Sequence, residues 1–267
     1  MKTKLMVVGA AGRMGGRIIC LAVESGRFDI VAAVDRSDLP CIGKDVGAVC
    51  SCGTIGVVVT DVLPAVGADV VIDFSTPQAA DASVDYCLKN KVALVLGTTG
   101  LSDKQMEKLK SASKNVPILY ATNMSVGMNV LFAIVGKVAS MLGSEYDIEI
   151  VEQHHRYKKD APSGSALSLA EKICAATGRD FPESIKTGRS GKEALRSKGE
   201  IGIHAVRAGD ITGIHSVIFG TLGETVSINH SASSRDTLAQ GALKAANWIV
   251  GKKPALYSMA DVLGISI

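Results

Sequence analysis

The stretch Leu5 to Gly15, with the sequence LMVVGAAGRMG, decides the fold of this chain. An apolar run ends in a glycine-rich turn, and a helix-like segment starts at Arg13, which is the context of a dinucleotide-binding site. Glycine permits tight backbone angles and lets a pyrophosphate approach the N–H groups at the positive end of the helix. The spacing is GxxGxxG rather than GxGxxG, and a tight strand-to-helix turn without a ligand is the alternative interpretation.

An acidic residue at the end of the next apolar run strengthens the nucleotide interpretation. Asp35 stands where a carboxylate can accept hydrogen bonds from the hydroxyls of an adenosine ribose. Arg36 can stack on adenine or pair with a 2′-phosphate, and Arg13 can assist from the glycine turn. An acid beside two arginines predicts that both NADH and NADPH are accepted. The alternative is that Asp35 and Arg36 form an ordinary solvated strand end.

The first 120 residues repeat a pattern of short apolar runs, each followed by a helix-like stretch. Strands are predicted at Leu5–Val8, Ile30–Val34, Val70–Asp73, Ala93–Leu96 and Ile118–Tyr120. Helices are predicted at Arg13–Glu24, Gln78–Lys89 and Asp103–Ser113, and the segment Ser37–Ile55 is expected to be irregular. Because the apolar runs do not alternate, both faces of the sheet should be covered, as in a Rossmann-type doubly wound parallel sheet.

The pattern changes after Asn123. A helix-like segment, 129–142, leads into an alternating strand at 146–153, and the later runs 202–207, 215–220 and 225–230 are separated by turn signals. Helical periodicity returns at 236–250. We predict an α/β chain in which residues 1–125 and 235–267 form a dinucleotide-binding domain. Residues 126–234 would form an inserted α+β domain with a mixed or antiparallel sheet.

Composition excludes several classes of protein. The 267 residues are 47% hydrophobic and 21% charged with 28 glycines, which argues against disordered, collagen-like and coiled-coil chains. A net charge of +3 without a sustained basic block argues against a nucleic-acid partner. No apolar run reaches membrane-spanning length, and the first residues lack a convincing cleavage site, so we expect neither a membrane partner nor export.

The six cysteines are scattered and are expected to be reduced thiols in the cytoplasm. Cys50 and Cys52 are close in sequence, but no second Cys or His pair follows at the spacing of a structural zinc site. We therefore expect no metal there.

Two loops after predicted strands should border the nucleotide. Asp73-Phe74-Ser75-Thr76-Pro77 follows the third strand, and Gly97-Thr98-Thr99-Gly100 follows the fourth. In doubly wound folds, ligands bind outside the carboxyl ends of the strands. The alternative interpretation is ordinary turn chemistry.

The densest polar cluster is Glu152 to Ala166, with the sequence EQHHRYKKDAPSGSA. Such a concentration of histidines and cations is unfavourable in a core but suits a cleft that receives an anion. Within it, Ser163 precedes a predicted helix start, where the N–H groups of Gly164 and Ser165 can bind a carboxylate. The alternative is a basic surface loop leading into a capped helix.

Two side chains of this cluster are suited to proton transfer. Neighbouring residues of an extended chain point to opposite faces, so His154 and His155 are not expected to share a metal. A histidine titrates near neutrality, and a lysine such as Lys158 can become a proton donor when nearby cations lower its pKa.

Six motifs together resemble the dihydrodipicolinate reductase family of lysine and diaminopimelate biosynthesis. They are GAAGRMG from Gly9, DFS from Asp73, GTTG from Gly97, NMSVG from Asn123, EQHHRYKKDAPSGSA from Glu152 and HAVRAGD from His204. The resemblance implies reduction of 4-hydroxy-tetrahydrodipicolinate with NADH or NADPH, by hydride transfer to ring C4, without a metal. It also implies a homotetramer built from the sheets of the second domain.

The resemblance also implies residue roles. The cofactor-binding residues would be Gly9, Gly12, Arg13, Met14, Gly15, Asp35, Arg36, Phe74, Gly97, Thr98, Thr99, Ala121, Asn123 and Met124. His154 and Lys158 would be the proton-donating pair, with Lys158 the preferred acid. The carboxylates of the small dicarboxylate substrate would bind His155, Ser163, Gly164 and Ser165. Ser165 stands where the family usually has Thr, and Met124 where Phe is common.

Two rival functions stay open from the residues alone. One is a non-catalytic NAD(P)-sensing protein, which would have no need of His154, Lys158 and the Ser163–Ser165 turn together. The other is a different amino-acid dehydrogenase.

Overall fold

A parallel sheet forms around the first apolar strand in the computed structural model, which describes residues 1–265. Its strands are β1 (Thr3–Val8), β2 (Phe28–Val34), β3 (Val59–Thr60), β4 (Val70–Asp73), β5 (Ala93–Leu96), β6 (Pro117–Tyr120) and β12 (Ala255–Tyr257). They lie in the order β12-β6-β5-β4-β1-β2-β3, and every neighbouring pair is parallel. The predicted doubly wound sheet is confirmed.

Helices cover both faces of this sheet. They are α1 (Arg13–Ser25), α2 (Val46–Val49), α3 (Pro77–Asn90), α4 (Asp103–Ala112), α7 (Asp236–Ile249) and α8 (Met259–Leu263). One apolar cluster joins α1, α7 and α8 to one face, and another joins α3 and α4 to the opposite face. This arrangement explains why the strands lack alternation: side chains on both faces are buried.

Some short helices and strands of the first unit were not predicted from the sequence pattern. Helix α2 lies inside Ser37–Ile55, which was predicted to be irregular, and that prediction was wrong for these four residues. The carboxylate of Asp45 caps α2 at the Ala48 N–H and also accepts from the N–H groups of Ile55 and Gly56. Strands β3 and β12 are two and three residues long, too short to carry a periodic signal.

The second unit, Gly127–Ser234, contains a five-stranded sheet. Its elements are α5 (Val126–Leu142, whose first residue belongs to the first unit), β7 (Asp147–His154), α6 (Gly164–Thr177), β8 (Ile185–Thr187), β9 (Ile201–Arg207), β10 (Gly213–Thr221) and β11 (Glu224–Ala232). The order is β11-β10-β7-β9-β8; β9 is parallel to β7 and β8, and β10 is antiparallel to β7 and β11. The sheet is therefore mixed, as predicted.

One face of this sheet packs on α5 and α6. Ile148 and Ile150 of β7 point to that face together with Val217 and Phe219 of β10, and all four are buried. The first unit comprises Met1–Val126 and the described residues from Arg235 onward. The predicted domain 235–267 includes residues 266 and 267, which lie outside the described part of the chain.

Within residues 1–265, no helix combines the length and apolarity needed to cross a bilayer.

Candidate active site

The glycine turn between β1 and α1 is tightly packed. Gly9 has a φ of 78°, and a Cβ there would lie 2.6 Å from the carbonyl oxygen of Phe74. A Cβ at Gly15 would lie 2.0 Å from the carbonyl oxygen of Gly9. Backbone atoms in a folded turn cannot retreat from such contacts, so both positions require glycine. Arg13 and Met14 open α1, where the first N–H groups have no acceptor within the helix.

Asp35, directly after β2, lines the cavity beside the glycine turn and also fixes that turn. Its carboxylate accepts the N–H of Ala11 at 2.8 Å and that of Arg36 at 2.9 Å. The Arg36 side chain is largely exposed and forms an ion pair with Asp38 at 3.5 Å. The sequence predicted a ribose contact for Asp35 but not its hydrogen bond to Ala11, which spans 24 residues and depends on the fold.

A cavity of about 680 Å³ opens beside this turn. Its walls are mainly apolar, from Val8, Val34, Leu39, Val62 and Leu63. Its polar lining includes Gly9, Gly12, Asp35, Arg36, Asp61, Ser75 and Thr76. An apolar slot with two carboxylates and a guanidinium in its lining fits the adenosine half of a dinucleotide.

The two loops predicted to border the nucleotide are joined by one buried carboxylate. Asp73 accepts hydrogen bonds from the hydroxyls of Ser75, Ser83 and Thr98, at 2.6, 2.5 and 2.8 Å. Thr98 is buried, and its hydroxyl also accepts the Ser75 N–H at 3.1 Å. The buried Thr98 side chain therefore joins the two loops through Asp73 and Ser75. Its backbone is the part of Thr98 that can meet a ligand.

Gly97 packs directly on the ring of Phe74. A Cβ at Gly97 would lie 2.3 Å from that ring, so glycine is needed for the two loops to meet. Thr99, the next residue but one, is exposed.

The segment after β6 is held by side-chain contacts within the first unit. Asn123 accepts the Ser125 N–H at 2.9 Å through its side chain, and Ala121 is half-buried. Met124 is buried in the core cluster beside α7, and its carbonyl oxygen faces Gly241. Its side chain therefore packs within the first unit, so at Met124 the main chain is the part that can meet a ligand.

In the second unit, Glu152 is the centre of the polar cluster. The residue is fully buried, and its carboxylate receives both terminal nitrogens of Arg207 at 2.7 Å each. It also contacts Nδ1 of His154 at 2.6 Å and accepts the Ser163 N–H at 3.0 Å. Burial raises the pKa of Glu152, but these partners outweigh burial and lower it below its ordinary value. The carboxylate is ionised at neutral pH.

The ionised carboxylate of Glu152 determines the tautomer of His154. An ionised carboxylate can only accept, so Nδ1 of His154 carries the hydrogen and Nε2 is left bare in the neutral ring. Burial lowers the pKa of His154, assisted by Lys158 and Arg207, against the opposing effect of Glu152. His154 is therefore a neutral imidazole near pH 7.

Lys158 reaches Asp160, two residues along the loop. Its ammonium group lies 2.8 Å from both carboxylate oxygens, and its side chain is 21% exposed. The group at hydrogen-bond distance from the Lys158 ammonium is thus an anion. The sequence had instead predicted that neighbouring cations would dominate the surroundings of Lys158. Burial opposes ionisation of Asp160, but the hydrogen bond from Lys158 prevails and lowers the pKa of this carboxyl.

The other predicted substrate residues differ in availability. Ser163 is buried and caps α6: its hydroxyl accepts the Ala166 N–H at 3.2 Å and contacts Nε2 of His215 at 3.2 Å. Gly164 is exposed at the first helical position, and Ser165 is half-buried behind it. Nδ1 of His155 is buried and has no hydrogen-bond partner among residues 1–265. Within that range, no three His, Cys, Asp or Glu side chains are arranged to hold a metal ion.

Sequence analysis missed four residues of this cluster: Glu152, Asp160, Arg207 and His215. Glu152 and Asp160 belong to the motif EQHHRYKKDAPSGSA, and Arg207 belongs to HAVRAGD. The motifs therefore marked these three residues, but nothing in the sequence assigned them a role. His215 lies on β10 with no motif around it. Its ring meets that of His154 edge-to-face at 5.2 Å.

His215 gives the pH dependence of stability a definite sign. Burial, with His154 and His230 nearby, lowers the pKa of His215 from 6.5 to about 4. As the pH falls through about 6.5, His215 takes up a proton in the unfolded chain but not in the folded chain. The contribution of neutral His215 to the free energy of unfolding is therefore fully present above about pH 6.5 and is lost progressively below it. Between about pH 7.5 and about pH 5, we expect the free energy of unfolding to fall by about 2 kcal/mol more than in His215→Asn. Urea unfolding of both proteins at both pH values measures this, and equal losses would show that folded His215 is protonated.

Comparison with known families gives two adjoining matches. Residues 3–124 match the model of dihydrodipicolinate reductase, N-terminus, and residues 127–263 match that of dihydrodipicolinate reductase, C-terminus.

Similar curated proteins cover the whole length. The 4-hydroxy-tetrahydrodipicolinate reductase of Syntrophus aciditrophicus is 45% identical over 263 residues, which is 98% of each chain. The protein of the same name from Trichlorobacter lovleyi is 45% identical over 264 residues, covering 98% of this chain and 99% of the other. Among solved structures, dipicolinate-bound dihydrodipicolinate reductase from Paenisporosarcina sp. TG-14 has a TM-score of 0.77 at 24% identity, covering 98% and 99% of the two chains.

Proposed function

The chain belongs to the dihydrodipicolinate reductase family, and from that premise we propose how its own residues serve the reaction. It is an oxidoreductase of lysine and diaminopimelate biosynthesis that reduces 4-hydroxy-tetrahydrodipicolinate with a nicotinamide dinucleotide. The dinucleotide supplies the hydride when bound.

We propose that the first unit holds this dinucleotide at the glycine turn. The N–H groups at the start of α1, from Arg13, Met14 and Gly15, would face the pyrophosphate, and Gly9 and Gly12 allow its approach. The cavity bordered by Asp35 and Arg36 would take the adenosine. The backbone of 97–99 and 121–124, with Phe74 beneath it, would flank the nicotinamide. A carboxylate for the ribose hydroxyls and an exposed guanidinium for a 2′-phosphate support acceptance of both NADH and NADPH.

We propose that Lys158 is the general acid. The 4-hydroxyl group of the substrate must first leave as water, which gives the conjugated imine. A hydride that then reaches ring C4 adds an electron pair to this imine, and a proton from a nearby acid must balance it. Between the two predicted donors, the neutral His154 has its one ring hydrogen committed to Glu152, whereas Lys158 carries an ammonium group that is partly exposed. His154 would instead accept a hydrogen bond through its bare Nε2.

The two carboxylates of the substrate would meet the positive end of α6 at Gly164 and Ser165, together with His155 and Lys158. Ser163 would act through the helix cap, because its hydroxyl and its N–H already have partners. Cations and helix N–H groups in one place suit a small dianion.

The observation that carries this proposal is the cluster around Glu152, which brings His154, Arg207 and the start of α6 into contact. The test follows the loss of absorbance at about 340 nm with NADH or with NADPH. The acceptor is the product that a dihydrodipicolinate synthase forms in the same cuvette. We expect turnover with both nucleotides. Binding of nucleotide without turnover would favour a non-catalytic sensor instead, and turnover with another oxo acid and ammonia alone would favour a different amino-acid dehydrogenase.

We also propose a homotetramer and a cytoplasmic location. The sheet of the second unit has helices on one face, and its opposite face presents Val151, Ile214 and Ile218, with Val206 40% exposed. A partner copy would cover these side chains. All six cysteines are free thiols, which suits a reducing compartment.

Ile218→Asp tests the assembly. Ile218 lies opposite Glu149 and Ser227 in the centre of the open face, where a buried carboxylate would be unfavourable in an interface. We expect the mass in solution, measured by light scattering after size exclusion, to fall to that of a dimer or monomer. Lys137→Asp, on α5, is the control and should leave the mass unchanged. A tetramer in both variants, or a monomeric wild type, would refute the proposed interface.

A further inference from the structure

Every segment of the proposed substrate site is tied to one buried ion pair, Glu152 with Arg207. Glu152 bonds to His154 at the end of β7 and to the N–H of Ser163 at the cap of α6. Arg207, at the end of β9, donates from Nη2 to the carbonyl oxygen of Asp160 at 2.6 Å, and so fixes the loop that carries Lys158. The pair therefore touches the imidazole, the anion-binding helix start and the acid-bearing loop.

The net stability gained from this buried arrangement is small, so stability alone does not explain it, whereas a role in positioning does. Two charges taken out of water gain little net stability even when well paired, and apolar residues of similar size would serve a core equally well. Here Glu152 is fully buried and uses both oxygens, each with more than one partner. An acceptor with no proton of its own also dictates which nitrogen of His154 carries hydrogen.

We propose that Glu152 is a positioning residue for the reductase reaction: with Arg207 as its counter-ion, it holds His154 in the Nδ1–H tautomer and keeps Nε2 bare for the substrate. This inference rests on the proposed roles of His154 and Lys158. The charged or titratable groups that face His154 are Glu152 on β7, Lys158 on the following loop, Arg207 on β9 and His215 on β10. Asp160 acts on this group through Lys158.

A second cluster on the same strand supplies a matched control. Glu149 lies three residues before Glu152 on the opposite face of the sheet, where it accepts from Arg189 and Arg196 and contacts Nε2 of His204 at 2.7 Å. Glu149→Gln and Glu152→Gln thus remove the same kind of carboxylate from two arginine and imidazole clusters, and only the second touches His154.

The first measurement uses ligand-free protein labelled with ¹⁵N-histidine, in which two-bond ¹H–¹⁵N spectra identify the tautomer of each ring. We expect His154 as Nδ1–H in the wild type and in Glu149→Gln, and loss of that single tautomer in Glu152→Gln. An unchanged His154 spectrum in Glu152→Gln would overturn the proposal. Because this readout needs no turnover, it stands apart from any failure of the proposed reaction.

The second measurement is kinetic. For Glu152→Gln we expect kcat to fall by roughly tenfold to a hundredfold with an altered pH profile, while the Kd for NADH stays within about twofold. Titration with dipicolinate, a planar dicarboxylate probe, should show weaker binding because the start of α6 is no longer anchored. A kcat and a pH profile like those of the wild type would contradict a positioning role.

Glu152→Gln leaves the half-buried Arg207 without its counter-ion and can prevent folding. The double variant Glu152→Gln with Arg207→Gln removes both charges and keeps a neutral, hydrogen-bonding side chain at each position. We expect it to fold, to bind NADH normally and to show the same loss of the Nδ1–H tautomer and of kcat. A folded double variant with wild-type kcat would also refute the proposal.

Discussion

Lys158→Ala should lower kcat by roughly 10²-fold to 10⁴-fold, the range expected when a general acid is removed. The Kd for NADH should stay within about twofold, because Lys158 belongs to the second unit and the glycine turn to the first. Asp160, its partner, is largely exposed, so loss of the ion pair should affect stability little. Single-turnover rates and nucleotide titrations measure the two effects separately.

Two further variants separate proton donation from charge. Lys158→Arg keeps a cation for the substrate carboxylates but holds its proton too tightly to donate it, so we expect KM near that of the wild type and kcat as low as in Lys158→Ala. Lys159→Ala removes the neighbouring exposed lysine and should leave kcat within about twofold. Equal loss of nucleotide binding and turnover in Lys158→Ala would indicate a structural role instead.

Gly15→Ala should weaken NADH binding by about 100-fold or more, because the turn must open to admit a methyl group. The new Cβ would lie 2.0 Å from the carbonyl oxygen of Gly9 and 2.8 Å from the Cα of Ala10, and both are backbone atoms. We also expect the free energy of unfolding to fall by about 1–3 kcal/mol. Calorimetric titration and urea unfolding measure the two quantities.

Gly16→Ala is the matched control, one residue further along the same helix. A Cβ there would meet the Cys50 Sγ at 3.4 Å, an ordinary contact, and alanine favours the helix by about 1 kcal/mol over glycine. We expect unchanged NADH binding and equal or greater stability. If Gly15→Ala bound NADH as tightly as Gly16→Ala, the glycine turn would not be the pyrophosphate site.

Much of the first unit was predictable because its signals are local. The run Leu5–Val8 is apolar at every position, and such a strand must be covered on both faces, which selects a parallel sheet between helices. The glycine turn follows it directly, so strand, turn and helix are all read from one short stretch. Helix α2 and the short strands β3 and β12 were not predictable, because two to four residues carry no period.

In the polar cluster around Glu152, too, some residues were predictable from local sequence and others were not. His154, His155, Lys158 and Ser163 lie in one contiguous segment, and their crowding alone marks it as a site for an anion. Arg207 is 55 residues from Glu152, and His215 is 52 residues from Ser163. Their meeting depends on which strands are neighbours and on their register.

The sequence by itself determined the family and the doubly wound sheet and predicted the segment of the proposed reactive groups, because each of these depends on consecutive or periodic residues. Only the tertiary structure decided which nitrogen of His154 bears hydrogen, that Ser163 serves a helix cap, and that Asp35 holds the glycine turn. Those assignments depend on hydrogen bonds between strands and loops far apart in the chain. A shift of one residue in strand register would turn the Glu152 side chain to the opposite face and abolish them.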